Sequence, residues 1–237
     1  MRIRSRLGLT LLLAASTLAI LAHAALASRL SFVPSERGFK LVFPAFTLHA
    51  WTGEGFEEHE IQVACPVTLE GTFAGRSFAK APRLQYATVT RAAVTEASCT
   101  GRRTFWARNE RELWIIATEE IPGKLHWLTE TLPWPLEYQA FQGVLPVITS
   151  IIGGLTRVAV RVNELPLGGE CLFGGTMGHK WIVESRGLVT SFIGVETSRP
   201  LELRSSNFFC LMPEALYSGA GTVTQSDGRT TIALRLI

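Results

Sequence analysis

Aspartate occurs once in 237 residues, at Asp227, and lysine only at Lys40, Lys80, Lys124 and Lys180. Glutamate and arginine carry almost all the charge, a bias of GC-rich coding rather than a functional signature. Cysteine is sparse too: Cys65, Cys99, Cys171 and Cys210 stand 34, 72 and 39 residues apart, with no histidine near any of them. A zinc site needs close pairs such as C-x-x-C, or histidines three to five residues apart. No metal site and no cofactor are therefore expected. Net charge is missing as well. With Arg2, Arg4 and Arg6 set aside, 20 basic residues face 20 acidic ones, which removes the electrostatic case for nucleic acid or acidic lipid as partner. No repeat, low-complexity tract or linker divides the chain after residue 27. No later apolar run reaches membrane length, so no transmembrane segment is expected in the mature chain.

The N-terminus does carry a signal. Arg2, Arg4 and Arg6 precede sixteen uncharged residues, Leu7 to Ala22, and Ala25-Leu26-Ala27 ends the segment. A positive start, an apolar middle and an A-x-A site are the three parts of a secretory signal peptide. Residues 1–27 are read as that peptide, cut after Ala27, with a retained anchor as the alternative. Export places all four cysteines in an oxidising compartment, where an even count favours disulfides. Of three connectivities we expect Cys65–Cys99 and Cys171–Cys210, because sequential pairs close the shorter loops and a meander sets near-sequence strands side by side.

Residues 28–237 read as one all-β domain, with 28–37 a loose leader. The dominant period is two. Ile61, Val63, Cys65, Val67 and Leu69 share one face of Glu60–Phe73, and Glu60, Gln62, Thr68 and Glu70 the other. Pro66 cannot donate to a ladder, so an edge or a bulge is expected there. Val158, Val160 and Val162 alternate in the same way, as do Ile232, Leu234 and Leu236. Ser226-Asp227-Gly228-Arg229 has hairpin chemistry. Further strands are expected at Lys40–Ala50, Leu84–Thr95, Trp134–Phe141, Lys180–Glu184, Leu188–Val195 and Phe208–Met212. Asn109–Glu112 resembles a helix cap ahead of Leu113–Glu120, yet Trp114, Ile115, Ile116 and Thr118 prefer strands, so a hairpin is expected, with Pro122-Gly123 as the turn before Lys124–Thr131.

No constellation announces an enzyme. Ser77, in Gly75-Arg76-Ser77-Phe78-Ala79, is one residue short of a nucleophile elbow and lies in a strand-to-strand turn. Gly174–Lys180 lacks the phosphate-loop spacing and reads as a flexible turn. His49, His59, His126 and His179 are scattered and read as surface or strand-end residues. Glu57-Glu58-His59-Glu60 reads as a solvated turn. The candidate binding residues are Trp134 and Tyr138, which share a face with Leu136: core in a sandwich, a cavity wall in a small barrel.

Cys65-Pro66-Val67-Thr68-Leu69-Glu70-Gly71-Thr72-Phe73, Leu132-Pro133-Trp134 and Phe141-Gln142-Gly143-Val144-Leu145-Pro146-Val147-Ile148 together resemble a group of uncharacterised secreted proteins from GC-rich bacteria. The resemblance spans roughly residues 60–175 and implies export and the Cys65 to Cys99 spacing, with no function attached. The chain departs from that pattern by a longer Thr104–Thr131 segment. The expected fold is a single antiparallel all-β domain, a meander barrel favoured over a two-sheet sandwich. A transmembrane barrel is the outside alternative, against which Arg235-Leu236-Ile237 lacks an aromatic ending. The expected function is an exported, non-catalytic domain that binds a small apolar ligand or an envelope component. A secreted hydrolase and a structural or assembly subunit are the alternatives.

Overall fold

The computed structural model describes residues 31–52, 57–108, 112–144, 147–165, 169–184, 189–196, 200–206 and 212–236. The signal segment, Cys210 and most of the expected Phe208–Met212 strand lie outside the described residues. What is described is strand almost throughout. The first seven strands are β1 (Ser31–Pro34), β2 (Gly38–Thr52), β3 (Glu57–Phe73), β4 (Phe78–Ala79), β5 (Gln85–Val94), β6 (Thr100–Arg108) and β7 (Leu113–Ile121). Then follow β8 (Lys124–Trp127), β9 (Trp134–Val144), β10 (Val147–Leu165) and β11 (Gly169–Glu184). The last four are β12 (Val189–Glu196), β13 (Leu201–Ser206), β14 (Glu214–Gln225) and β15 (Ile232–Leu236). Single 3₁₀ turns at Glu96–Ser98 and Thr129–Thr131 are the helical elements among the described residues.

All pairings are antiparallel, and they form a closed circuit. β2 pairs with β3, β3 with β5, β5 with β9, β9 with β10, β10 with β11, β11 with β12, β12 with β14, and β14 returns to β2. The all-β antiparallel class follows from this directly. β13 lies in line with β12 and likewise pairs with β11 and β14, β8 covers the far half of β10, and β15 carries β1 and β4. β6 and β7 branch away from β3.

Alternation explains why these segments pair as they do. On β3 the odd residues Val63, Cys65, Val67, Leu69 and Phe73 are buried, while Glu60, Gln62, Thr68 and Glu70 look outward. β2 begins in the same phase, burying Phe39, Leu41 and Phe43, then buries the even residues Phe46, Leu48 and Ala50. The switch is a bulge: Pro44-Ala45 stand opposite Pro66 alone, and one extra residue reverses the faces of everything beyond it. β10 repeats the device. Ile151 and Leu155 are buried before Thr156-Arg157, Val158, Val160 and Val162 after it, with Arg157 at φ 62°. Outward positions are largely polar, the reverse of the lipid-facing apolar band of a membrane barrel. No helix among the described residues is long and apolar enough to cross a membrane.

Pro66 also marks where β3 changes its second neighbour, from β5 over residues 67–73 to β6 over residues 57–64. The chain crosses that boundary through the turn Glu96–Ser98, and Cys99 is joined to Cys65 there, with Cα atoms 4.2 Å apart. The expected Cys65–Cys99 bond thus staples the switch. Cys171, buried on β11, is disulfide-bonded too, and its expected partner Cys210 lies outside the described residues.

Six expectations are corrected. The hairpin expected across Pro122-Gly123 does not form, because β7 pairs with β6 and β8 with β10. Glu57–Glu60 is the start of β3 rather than a turn. The leader 28–37 contains β1, whose Phe32 is fully buried against Phe78 and whose backbone pairs with β15. Gly174–Lys180 is not a turn but the middle of β11, where glycine admits close neighbours. His179 is core rather than surface. The Asp227-Gly228 turn forms, with Asp227 accepting from the Arg229 and Thr230 amides at 2.8 and 2.9 Å, but β15 leaves to pair with β12 and β1 after one bridge.

Candidate functional site

The interior is filled. Trp134 is fully buried, its indole N–H donating to Thr131 Oγ1 at 2.7 Å and its ring edge-on to Trp127 at 5.3 Å. Tyr138 is also buried, which raises the pKa of its phenol. The void in the core, walled by Phe43, Phe46, Trp127, Leu136 and Met177, has about 20 Å³, room for one water. Neither Trp134 nor Tyr138 lines it.

One polar pair crosses this apolar interior. Tyr86, fully buried on β5, shares a hydrogen bond between its hydroxyl and Nε2 of His179 on β11. Burial pushes the His179 pKa down to about 3, so the ring is neutral, and its Nδ1 has no hydrogen-bond partner. Gly153 makes the space: a Cβ there would stand 2.5 Å from the Glu137 carbonyl and 2.5 Å from the ring's Cε1. The pair is closed to solvent and holds no substrate-sized space.

The surface histidines form isolated pairs. His49 Nδ1 meets Glu60 at 2.9 Å and His126 Nδ1 meets Glu96 at 2.9 Å. Neither pair lines the interior void or the two surface grooves, and among the described residues no hydroxyl or thiol completes a nucleophile–base relay with either. Ser77 stays in an exposed bend. Within Glu57–Glu60 the pleat separates His59, packed edge-on against Phe105 at 4.8 Å, from Glu60, which turns to His49. Among the described residues no group of three or more His, Cys, Asp or Glu could hold a metal.

The conspicuous surface is the β6–β7 branch. β6 runs along β3 from the Cys99 staple, and Trp106 packs on Trp51 at 5.7 Å. β7 pairs only with β6 among the described residues, and both its faces are open. Leu113, Trp114, Ile115 and Ile116 are 41, 45, 55 and 59% exposed. A bulge leaves Ile116 without an opposite residue on β6. Beside it an apolar groove of about 370 Å³ is lined by His59, Phe105, Trp106, Ile116 and Ala117. Two polar atoms of this lining, His59 Nδ1 and Trp106 Nε1, are buried without a hydrogen-bond partner. Arg103 lies over the Phe105 ring at 5.6 Å and pairs with Glu119 at 3.2 Å, holding the hairpin's base. A second groove of about 370 Å³, beside the disulfide, is polar, with Gln62, Thr100, Arg102 and Glu120 on its walls.

The sequence pointed to a hairpin across Pro122-Gly123, whereas β7 pairs with β6 instead. A signal for the exposed surface was present: Leu113 to Ile116 are four consecutive apolar residues, whereas a half-buried strand alternates. Such a run is apolar on both faces, and on a surface it marks a contact. No family model, curated protein or solved structure matches the chain.

Proposed function

We propose that the chain is an exported, non-catalytic β-domain that works through an external contact surface, the β6–β7 branch, on a macromolecule of the cell envelope. The observation that carries this reading is a filled interior combined with four consecutive exposed apolar residues, Leu113 to Ile116. A small-molecule carrier needs a cavity of roughly 300 Å³ or more inside its fold, and the core void is far smaller. The Cys65–Cys99 disulfide agrees with an extracytoplasmic location. Fractionation tests the reading. Full-length protein expressed with its signal segment should be recovered with the envelope, and Trp114→Ser/Ile116→Ser should move it to the soluble extracytoplasmic fraction with its thermal midpoint unchanged. Identical distributions for the two proteins refute it.

A second reading rests on the apolar groove. Its volume suits a small apolar ligand, and the unpaired nitrogens of His59 and Trp106 suit one that bears an oxygen. Fatty acids or sterols should then shift the tryptophan emission, and Trp106→Phe should abolish the shift. An unchanged spectrum with both probes removes this reading.

A further inference from the structure

We infer that the occupant of the β7 edge is β7 of a second copy of this chain, the two strands pairing antiparallel about a two-fold axis at Ile115. The inference rests on the contact-surface reading and assigns only the edge of β7 to the second copy, leaving its two open faces to the envelope partner.

Three observations lead there. First, β7 offers hydrogen bonds as well as grease. Among the described residues it pairs with β6 on one side only, so the other edge presents a row of N–H and C=O groups. Lipid tails cannot satisfy such an edge, and each bare group in hydrocarbon costs several kcal/mol. Another strand satisfies it at once.

Second, the edge carries few of the usual guards against pairing. Natural edges carry lysine, proline, inward charge or a bulge, and Leu113-Trp114-Ile115-Ile116-Ala117 has only the bulge at Ile116.

Third, the charges select the register. With the axis at Ile115, Leu113 faces the second copy's Ala117, Trp114 its Ile116, and Ile115 its counterpart. This is the one register in which the five uncharged residues pair wholly among themselves. Moving the axis to Ala117 sets Trp114 against Glu120 and Ile115 against Glu119. Parallel, in-register pairing stacks each glutamate on itself, which is destabilising. Pairing at Ile115 turns two β6–β7 hairpins into one four-stranded sheet, β6–β7–β7–β6.

The four exposed apolar side chains present roughly 300–400 Å² per copy, the size of a large patch on a monomer. A contact of this size is smaller than a standard specific interface and supports a weak, concentration-dependent dimer.

Sedimentation of the full mature chain tests this. At roughly 100 µM the wild type should sediment as a monomer–dimer mixture whose dimer share rises with concentration. Ile115→Lys, at a position already open to solvent, should raise Kd at least roughly tenfold without shifting the thermal midpoint. Ile115→Cys should cross-link to itself under mild oxidation, since residues facing each other across an antiparallel pair lie within disulfide reach. Thr222→Cys, on the outer face of β14, should not. A wild-type monomer at that concentration overturns the inference, as does equal cross-linking at both positions. Blue-shifted tryptophan emission on anionic phospholipid vesicles, lost in Ile115→Lys, overturns it in favour of a membrane. If the protein is monomeric yet Trp114→Ser/Ile116→Ser still releases it from the envelope, the contact-surface reading stands and only the self-pairing falls. If the double variant also has no effect, both fall.

Discussion

His179 shows what a single titratable group does inside an apolar core. Its folded-state pKa lies near 3, against an ordinary value near 6.5, because burial penalises the charged ring. Below pH 6.5 the unfolded chain takes up a proton that the native state refuses. Stability therefore falls as pH drops from about 6.5 to about 3 and loses no more through this group below that. The full contribution is about 4–5 kcal/mol, since each tenfold weakening of proton affinity corresponds to about 1.36 kcal/mol. His179→Gln keeps an acceptor for the Tyr86 hydroxyl but cannot titrate. Denaturant melts at pH 7 and pH 4 should show a much smaller pH difference for this variant than for the wild type, and equal differences would refute the burial argument. Gly153→Ala tests the same neighbourhood sterically. Its methyl would meet the Glu137 carbonyl, so a loss of roughly 1–3 kcal/mol is expected in the same melts.

At the level of elements, the fold depends on where strands change phase or partner. β3 keeps one phase from end to end, while β2 and β10 reverse theirs at Pro44-Ala45 and Thr156-Arg157. The Cys65–Cys99 bond lies at the point where β3 exchanges β5 for β6, so it holds the β6–β7 branch to the main circuit. Its sequence separation of 34 corresponds to about 3–4 kcal/mol in the chain-entropy account. Cys65→Ala/Cys99→Ala should lower stability in denaturant melts by that order, and amide exchange in β6 and β7 should accelerate more than in β2. Uniform acceleration would show that the staple is not local to the branch.

For the whole molecule, a solid interior and an open branch divide the labour. Large buried rings, Phe32, Phe39, Phe43, Phe46, Phe73, Trp134 and Trp181 among them, fill the inside, each contributing roughly 1.5–3 kcal/mol of burial. The void walled by Phe43, Phe46, Trp127, Leu136 and Met177 has about 20 Å³, while among the described residues β7 presents apolar area and an unpaired backbone edge together. If the segment before Ser28 is a cleaved signal, N-terminal sequencing of exported protein should begin at Ser28. A start at Met1 in membrane fractions would make it an anchor instead.

Period-two alternation was enough to read the all-β class, the long β3 and the valines of β10, because solvent and core impose opposite demands on neighbouring residues of a strand. The missing donor of Pro66 pointed to an edge or a bulge on β3, and the bulge lies on β2, opposite it. Cysteine spacing in an alternating sequence was likewise enough for Cys65–Cys99. The phase of β2 beyond Pro44 was not legible, since a bulge is set by the partner strand and leaves no periodic mark of its own. Gly174–Lys180 read as a turn for a related reason. Its glycines answer to neighbours across the sheet, such as Arg204 against Gly174, which only the pairing of β11 brings near. Trp134 and Tyr138 were placed on one face by the sequence, but whether that face met a cavity or packed rings depended on the side chains arriving from the other strands. The exposure of Leu113–Ile116 was decided in the same way. Four apolar residues in a row declare a strand that wants cover on both faces, and only the branching of β6 from β3 leaves them exposed among the described residues.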